Sequence, residues 1–215
     1  AGAVLAVKIT QIDVFAKNLP MVSGYNMSSS TVGDPDTTVV ALRTDAKLTG
    51  WGEIWPTGPL PQVEHAGSIR ADLDLLGPAL IGADPLRIGL IYDVMAATMD
   101  GGQGARSAVD IACWDLLGKY HNERVCDLLG GARMDPVATY HVISIGTPDG
   151  SAQLAEQLQE EGHTKLQLKA GGRHIDEDID AVHAVAKVIR PGVDLFVDCN
   201  RGWTVGEAIQ VSRAC

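Results

Sequence analysis

The 215-residue chain has four cysteines, Cys113, Cys126, Cys199 and Cys215, with no CxxC pair and none near a histidine at metal-ligand spacing. They read as reduced thiols of a cytosolic protein rather than as a disulfide framework or a thiolate zinc site. The six histidines show no HxH or HxxxH spacing, which leaves a histidine-held zinc without support. Basic charge is scarce as well: 17 Lys and Arg face 27 Asp and Glu, a formal charge of -10 shared by both halves of the chain. That balance excludes a phosphate-tracking surface, so no nucleic-acid partner is expected. No apolar run approaches the ~18 residues needed to span a bilayer, and the opening Ala1–Val7 lacks a basic leader, so no membrane partner is expected either. Ala170-Gly171-Gly172-Arg173 is neither GxGxxG nor GxxxxGK[ST], which argues against a dinucleotide or phosphate loop. Residue 1 is alanine, so the chain need not begin at its natural start.

What remains is an ordinary globular composition, 46% apolar and 20% charged. Val7–Val14 alternates as a strand, and Thr37–Thr44 and Leu48–Ile54 read as its antiparallel partners, joined through Thr44-Asp45-Ala46-Lys47. Asn18–Asp36, rich in Ser, Gly and Pro, reads as a long loop of the kind that often serves as a lid. Trp55–Pro61 is a second irregular stretch, and residues 62–80, 84–99 and 104–119 carry helical spacing. After Pro136 the rhythm changes. Val137–Ile145, Thr164–Lys169 and Val193–Asn200 read as strands, separated by helices at Pro148–Glu161, opened by Thr147, and Asp176–Ile189. A last helix begins after Thr204. Repeated βα units with short loops imply parallel strands and right-handed crossovers, in either a doubly wound sheet or a β/α barrel.

The chemistry-bearing residues fall at the C-terminal ends of the second and third of these strands, where parallel α/β proteins build their sites. Period-two geometry puts Lys165, Gln167 and Lys169 on one face of the second strand, and Phe196, Asp198 and Asn200 on one face of the third. Lys169, Asp198 and an amide in one crevice suit abstraction of a proton next to a carboxylate, with a hard cation on Asp198 and the Lys169 amine as base. An ordinary lysine, titrating near ~10.4, must be made less basic for that work. The plain alternatives are that Lys165 pairs with a surface acid and that Asp198 caps the next helix.

Gln167-Leu168-Lys169-Ala170-Gly171, Asp198-Cys199-Asn200, the helix Ala105–Lys119 and Gly50-Trp51-Gly52-Glu53 together resemble the mandelate racemase and muconate-lactonizing branch of the enolase superfamily. The resemblance runs in order over essentially the whole chain. It implies an α/β fold: an N-terminal α+β capping domain over residues 1–133, then about three βα units of a modified TIM (β/α) barrel over 134–215. It also implies Mg²⁺ as cofactor, a small-molecule carboxylate substrate and a homo-oligomer. Carried over by position, Lys169 matches the family's base, Asp198 the first acidic metal ligand and Asn200 a residue lining the site. Gln167 departs from the usual first lysine of the KxK motif. It looks most like the branch acting on proline-type substrates such as hydroxyproline or proline betaine, with Tyr25, Trp55 and Trp203 as aromatic candidates to face the substrate nitrogen.

An acid-sugar dehydratase of the same superfamily is the alternative enzyme, and a non-catalytic fragment is the alternative of a different kind. A β/α barrel needs ~250 residues, so the remaining metal ligands and the second acid/base are expected beyond Cys215. Asp115 and Lys119 read as a helix-surface pair, and His141 reads as a core or barrel-floor residue.

Overall fold

A computed structural model of the chain describes residues 6–21, 24–26, 28, 31–56 and 64–215, without the side chains of Tyr25 and Val32. In chain order its elements are β1 (Ile9–Asn18), β2 (Tyr25–Asn26), β3 (Thr31–Val32), β4 (Asp36–Thr44), β5 (Thr49–Ile54), α1 (Ala66–Leu80), α2 (Ile88–Thr98), α3 (Gln103–His121) and α4 (Val125–Leu128). They continue with β6 (His141–Ile143), α5 (Pro148–Glu160), β7 (Lys165–Lys169), α6 (Ile175–Val188), β8 (Asp194–Asp198) and α7 (Val205–Ala214). Two compact units result: Ala1–Pro20 with Asp34–Arg133, and Met21–Gly33 with Met134–Cys215. No helix among the described residues is long and apolar enough to cross a membrane.

The first unit is an antiparallel sheet of order β1-β4-β5 packed on helices. Its first strand starts two residues later than the alternation suggests, because the Lys8 N–H turns aside to the Asp45 carboxylate, 2.9 Å away. It also runs on to Asn18, paired with Asp36. Ile9, Val40 and Leu42 face Ile69, Leu73, Leu76 and the apolar stripe of α3, Ala105-Ala108-Val109-Ala112-Leu116. The small residues of α3 have a purpose. A Cβ on Gly50 would stand 2.5 Å from Leu116 Cγ, so the helix lies directly on the strand's backbone, and Gly50-x-Gly52 presents its two bare Cα atoms to it.

Local chemistry sets the helix starts. His65 caps α1 by accepting from Ser68 N–H, and Asp84 holds a turn ahead of α2 by accepting from Leu86 N–H. Glu64 Oε2 accepts from Gly104 N–H at the start of α3. The one-turn helix α4, braced by Arg124–Asp127, carries too few residues to show a period in the sequence.

In the second unit β6, β7 and β8 form a parallel sheet in sequential order. Leu166 and Leu168 point to one side, into a core with Ile143, Ala155, Leu158, Ala181, Val182 and Val185 from β6, α5 and α6. The helices begin where expected: Thr147 caps α5 with Pro148 in its first turn, and Thr204 caps α7 in a capping box with Glu207. Three readings change here. Val137–Ile145 contributes only His141–Ile143 as strand. His141 is exposed rather than part of a floor, its ring 4.7 Å from that of His163. The stretch 18–36 is not wholly loop, since β2 and β3 pair across it with Tyr25 opposite Val32.

Candidate active site

Parallel pairing of β7 with β8 sets Lys169 directly beside Asp198. Period two does the rest: with Leu166 and Leu168 turned to the core, Gln167 and Lys169 occupy the opposite face, across from Phe196 and Asp198. Lys169 is 6% exposed, and its Nζ donates to Asp198 Oδ2 at 2.7 Å. The ladder continues one step beyond the strands, Ala170 N–H donating to the Asp198 carbonyl at 3.0 Å. Burial works to raise the Asp198 carboxyl. The Lys169 ammonium and the Asn200 N–H outweigh it, so its pKa lies below the ordinary aspartate value and the group is an anion at neutral pH.

Asn200 is near Asp198, but not by strand alternation. β8 ends at Asp198, whose Oδ1 accepts from Asn200 N–H at 2.9 Å, and Asn200 and Arg201 then adopt left-handed φ angles of 43° and 66°. Asp198 therefore does not cap α7. Lys165 has no ion pair among the described residues, so its pairing with a surface acid is not found.

Two amide oxygens near this pair are buried without a donor among the described residues, Gln167 Oε1 and Asn200 Oδ1. With the Asp198 carboxylate they make an all-oxygen set, the donor chemistry of a hard cation such as Mg²⁺. The set fits in kind and supplies one carboxylate. No group of three metal-binding acidic, His or Cys side chains gathers among the described residues.

The loops around the pair are tightly built. Ser28 Oγ donates to the Asn200 carbonyl at 3.1 Å, and Ser28 rests against Gly171, Gly172 and Gly202. Gly172 has φ +77° and a Cβ there would stand 2.9 Å from Ser28 Cα, so both its conformation and its lack of a side chain are required.

The Tyr25 side chain lies outside the described residues, Trp55 follows β5 half-buried in the first unit, and Trp203 gives its indole N–H to Asp178 at 2.7 Å. Asp178 is a residue that the sequence reading passed over. It sits in the acidic run Asp176-Glu177-Asp178-Ile179-Asp180, which looks like a solvated helix start. Its spacing to Ala181, Val182 and Val185 was the available signal, placing it on the buried stripe of α6.

The family model described as Mandelate racemase / muconate lactonizing enzyme, N-terminal domain, matches residues 9–130, and that described as Enolase C-terminal domain-like matches residues 150–215. The chain belongs to the mandelate racemase/muconate lactonizing enzyme family. Among its relatives in that family is a cis-3-hydroxy-L-proline dehydratase of Roseibium aggregatum, 43% identical over 96% of this chain and 57% of the relative. An N-succinyl Arg/Lys racemase from Bacillus cereus superposes with a TM-score of 0.91 at 31% identity, over 96% of this chain and 57% of that one. A member of the enolase superfamily from Roseovarius nubinhibens, complexed with magnesium, superposes with a TM-score of 0.89 at 32% identity, over 97% of this chain and 57% of that one. The chain thus spans a little over half the length of the family members it matches.

Proposed function

We propose that the complete protein removes the proton α to the carboxylate of a small amino-acid derivative with Mg²⁺ bound, and that a hydroxyproline is its substrate and dehydration its reaction. Residues 1–133 act as the cap and 134–215 as the first part of the barrel, with Met21–Gly33 grouped with the latter. The observation that carries this reading is the part-buried Lys169–Asp198 pair, Nζ to Oδ2 2.7 Å, at the C-terminal ends of adjacent parallel strands. The 43% identical hydroxyproline dehydratase supports the choice of substrate.

Lys169 is the base. The Lys169 ammonium separates from Asp198 and gives one proton to solvent, and the neutral amine then takes the proton from the carbon that bears the carboxylate, while Asp198 is free to serve as a metal ligand. Gln167 is uncharged and orients the substrate carboxylate by hydrogen bonding, where a second lysine would repel a cationic ring nitrogen. Asn200 holds the Asp198 carboxylate in place through its backbone N–H and offers its Oδ1 to the site. Mg²⁺, when bound, supplies the positive charge that offsets the negative charge gathering on the carboxylate oxygens as the proton leaves. With a hydroxyl on the next carbon, the electron pair left by the proton forms the double bond, and the hydroxyl leaves with its bonding pair, taking a proton from the second acid/base of the complete protein to depart as water.

Incubating the full-length protein with cis-3-hydroxy-L-proline and Mg²⁺ in D₂O, followed by NMR, tests this. Loss of the α-proton together with water is expected, slowed about 10³-fold or more in Lys169→Ala. Exchange of the α-proton without loss of water, using N-acylated amino acids, would favour racemisation, the activity named for the Bacillus cereus relative. No exchange with either class, or dehydration of sugar acids instead, sinks the proposal. The 215-residue chain by itself is proposed to be inactive, and turnover by it would refute that.

A further inference from the structure

We propose that Asp178 is a positioning residue that fixes the separation of Lys169 and Asp198 by fastening the loops that follow β6, β7 and β8 to one carboxylate. Asp178 is fully buried, at 0% exposure, in the first turns of α6. Its Oδ2 accepts from Gly171 N–H at 2.8 Å and from the Trp203 indole N–H at 2.7 Å, and its Oδ1 accepts from Arg173 Nε at 2.6 Å. Arg173 in turn donates through Nη1 to the Gly146 carbonyl at 2.6 Å. A carboxylate that served only the helix dipole would take donors from its own helix. This one takes them from two separate loops and, through Arg173, reaches a third.

The consequence for the site follows from chain order. Gly171 is two residues beyond Lys169, and Trp203 is five beyond Asp198. Both are tied to the same oxygen, so the ends of β7 and β8 move together or not at all. Ala170 N–H to the Asp198 carbonyl closes the arrangement from the sheet side. An ionised carboxylate has the acceptor capacity for three such bonds, and losing it would leave the Gly171 N–H and the Trp203 indole N–H without this acceptor and the part-buried Arg173 guanidinium without its counter-charge.

The role proposed for Asp178 in catalysis rests on the function proposed above, whereas its effect on the Lys169–Asp198 pair does not. The test uses the full-length protein, metal-free, as wild type, Trp203→Phe and Asp178→Asn. Trp203→Phe keeps an aromatic ring and removes one donor, and it serves where Asp178→Asn fails to fold. Trace acetic anhydride followed by mass spectrometry gives the acetylation of buried Lys169 relative to exposed Lys187 on α6. The ratio is expected to rise about tenfold in Trp203→Phe as the pair opens locally, and further in Asp178→Asn. Where the wild type exchanges the substrate α-proton, kcat is expected to fall at least about tenfold with KM within about twofold. A lowered melting temperature with an unchanged labelling ratio would show Asp178 to be a fastener without a positioning role, and overturns the proposal. A wild type that exchanges no α-proton refutes the proposed function, and the labelling ratio still decides the positioning claim.

Discussion

Gly52 packs its bare Cα against Ala108: a Cβ on the glycine would stand 2.9 Å from the alanine carbonyl carbon, nearer than side chains approach backbone. The neighbour is backbone within a helix, so it has no rotamer to give. Gly52→Ala is expected to destabilise the first unit by about 3 kcal/mol, measured by urea unfolding, because strand and helix must separate to admit the methyl group. A change under ~0.5 kcal/mol would mean that the helix slides freely on the strand.

Asp115 and Lys119 do more than pair along a helix surface. Asp115 Oδ2 accepts from the Trp51 N–H at 2.8 Å, and Lys119 Nζ donates to the Thr49 carbonyl at 2.8 Å, so the two side chains occupy hydrogen-bonding groups of edge strand β5. Both are about one-third exposed or more, so their loss should cost only about 1 kcal/mol in total. The larger expected effect of Asp115→Ala with Lys119→Ala is self-association through the uncovered strand, visible by light scattering. A monodisperse double variant at wild-type concentrations would refute this.

Cys113 lies in the core of the first unit, where burial, aided by the Asp110 charge, pushes its thiol up from 9.0 to about 12. An acid whose folded pKa is raised adds stability that is complete below pH 9.0 and is lost between pH 9.0 and about 12, because only the unfolded chain sheds its proton there. Unfolding free energies of wild type and Cys113→Ala should therefore converge by roughly 2 kcal/mol between pH 7 and pH 10.5. A constant offset between them would contradict the burial effect. In the same samples Cys126, which is exposed, should be alkylated at pH 8 far faster than Cys113.

Gly172→Ala should displace Ser28 from the loops after β7 and β8, since the new methyl group meets Ser28 backbone and the φ of +77° disfavours a side chain. In the full-length protein the expected result is a raised KM with an intact fold, read by steady-state kinetics and circular dichroism. An unchanged KM would separate the Ser28 contact from substrate binding.

Much of the site was readable in advance because it obeys simple periods. Leu166 and Leu168 needed burial, and that alone turned Gln167 and Lys169 the other way. Thr147 and Thr204 announced their helices through the hydrogen bonds their hydroxyls accept. The period failed where the backbone stopped being a strand. Counting twos places Asn200 on the face of Asp198, yet it reaches that neighbourhood through a left-handed turn that Asp198 itself nucleates. An aromatic ring in a sequence carries no sign of what its N–H binds, and Trp203 gives its own to Asp178. Asp178 was invisible as a centre because a buried acid and a solvated acid look alike until their partners, drawn from loops 7 and 25 residues away, are known.

The strap formed by Ser28 also has a meaning for the order of assembly. It belongs to the connection between β1 and β4, two strands that can pair once the chain through Thr44 has emerged. Its partner Asn200 lies 172 positions further along. During synthesis the first unit can therefore close while Met21–Gly33 still has nothing to hold, and that segment must wait until β7 and β8 have joined before it finds its place. The loops after β7 and β8 are thus braced by a segment made well before them.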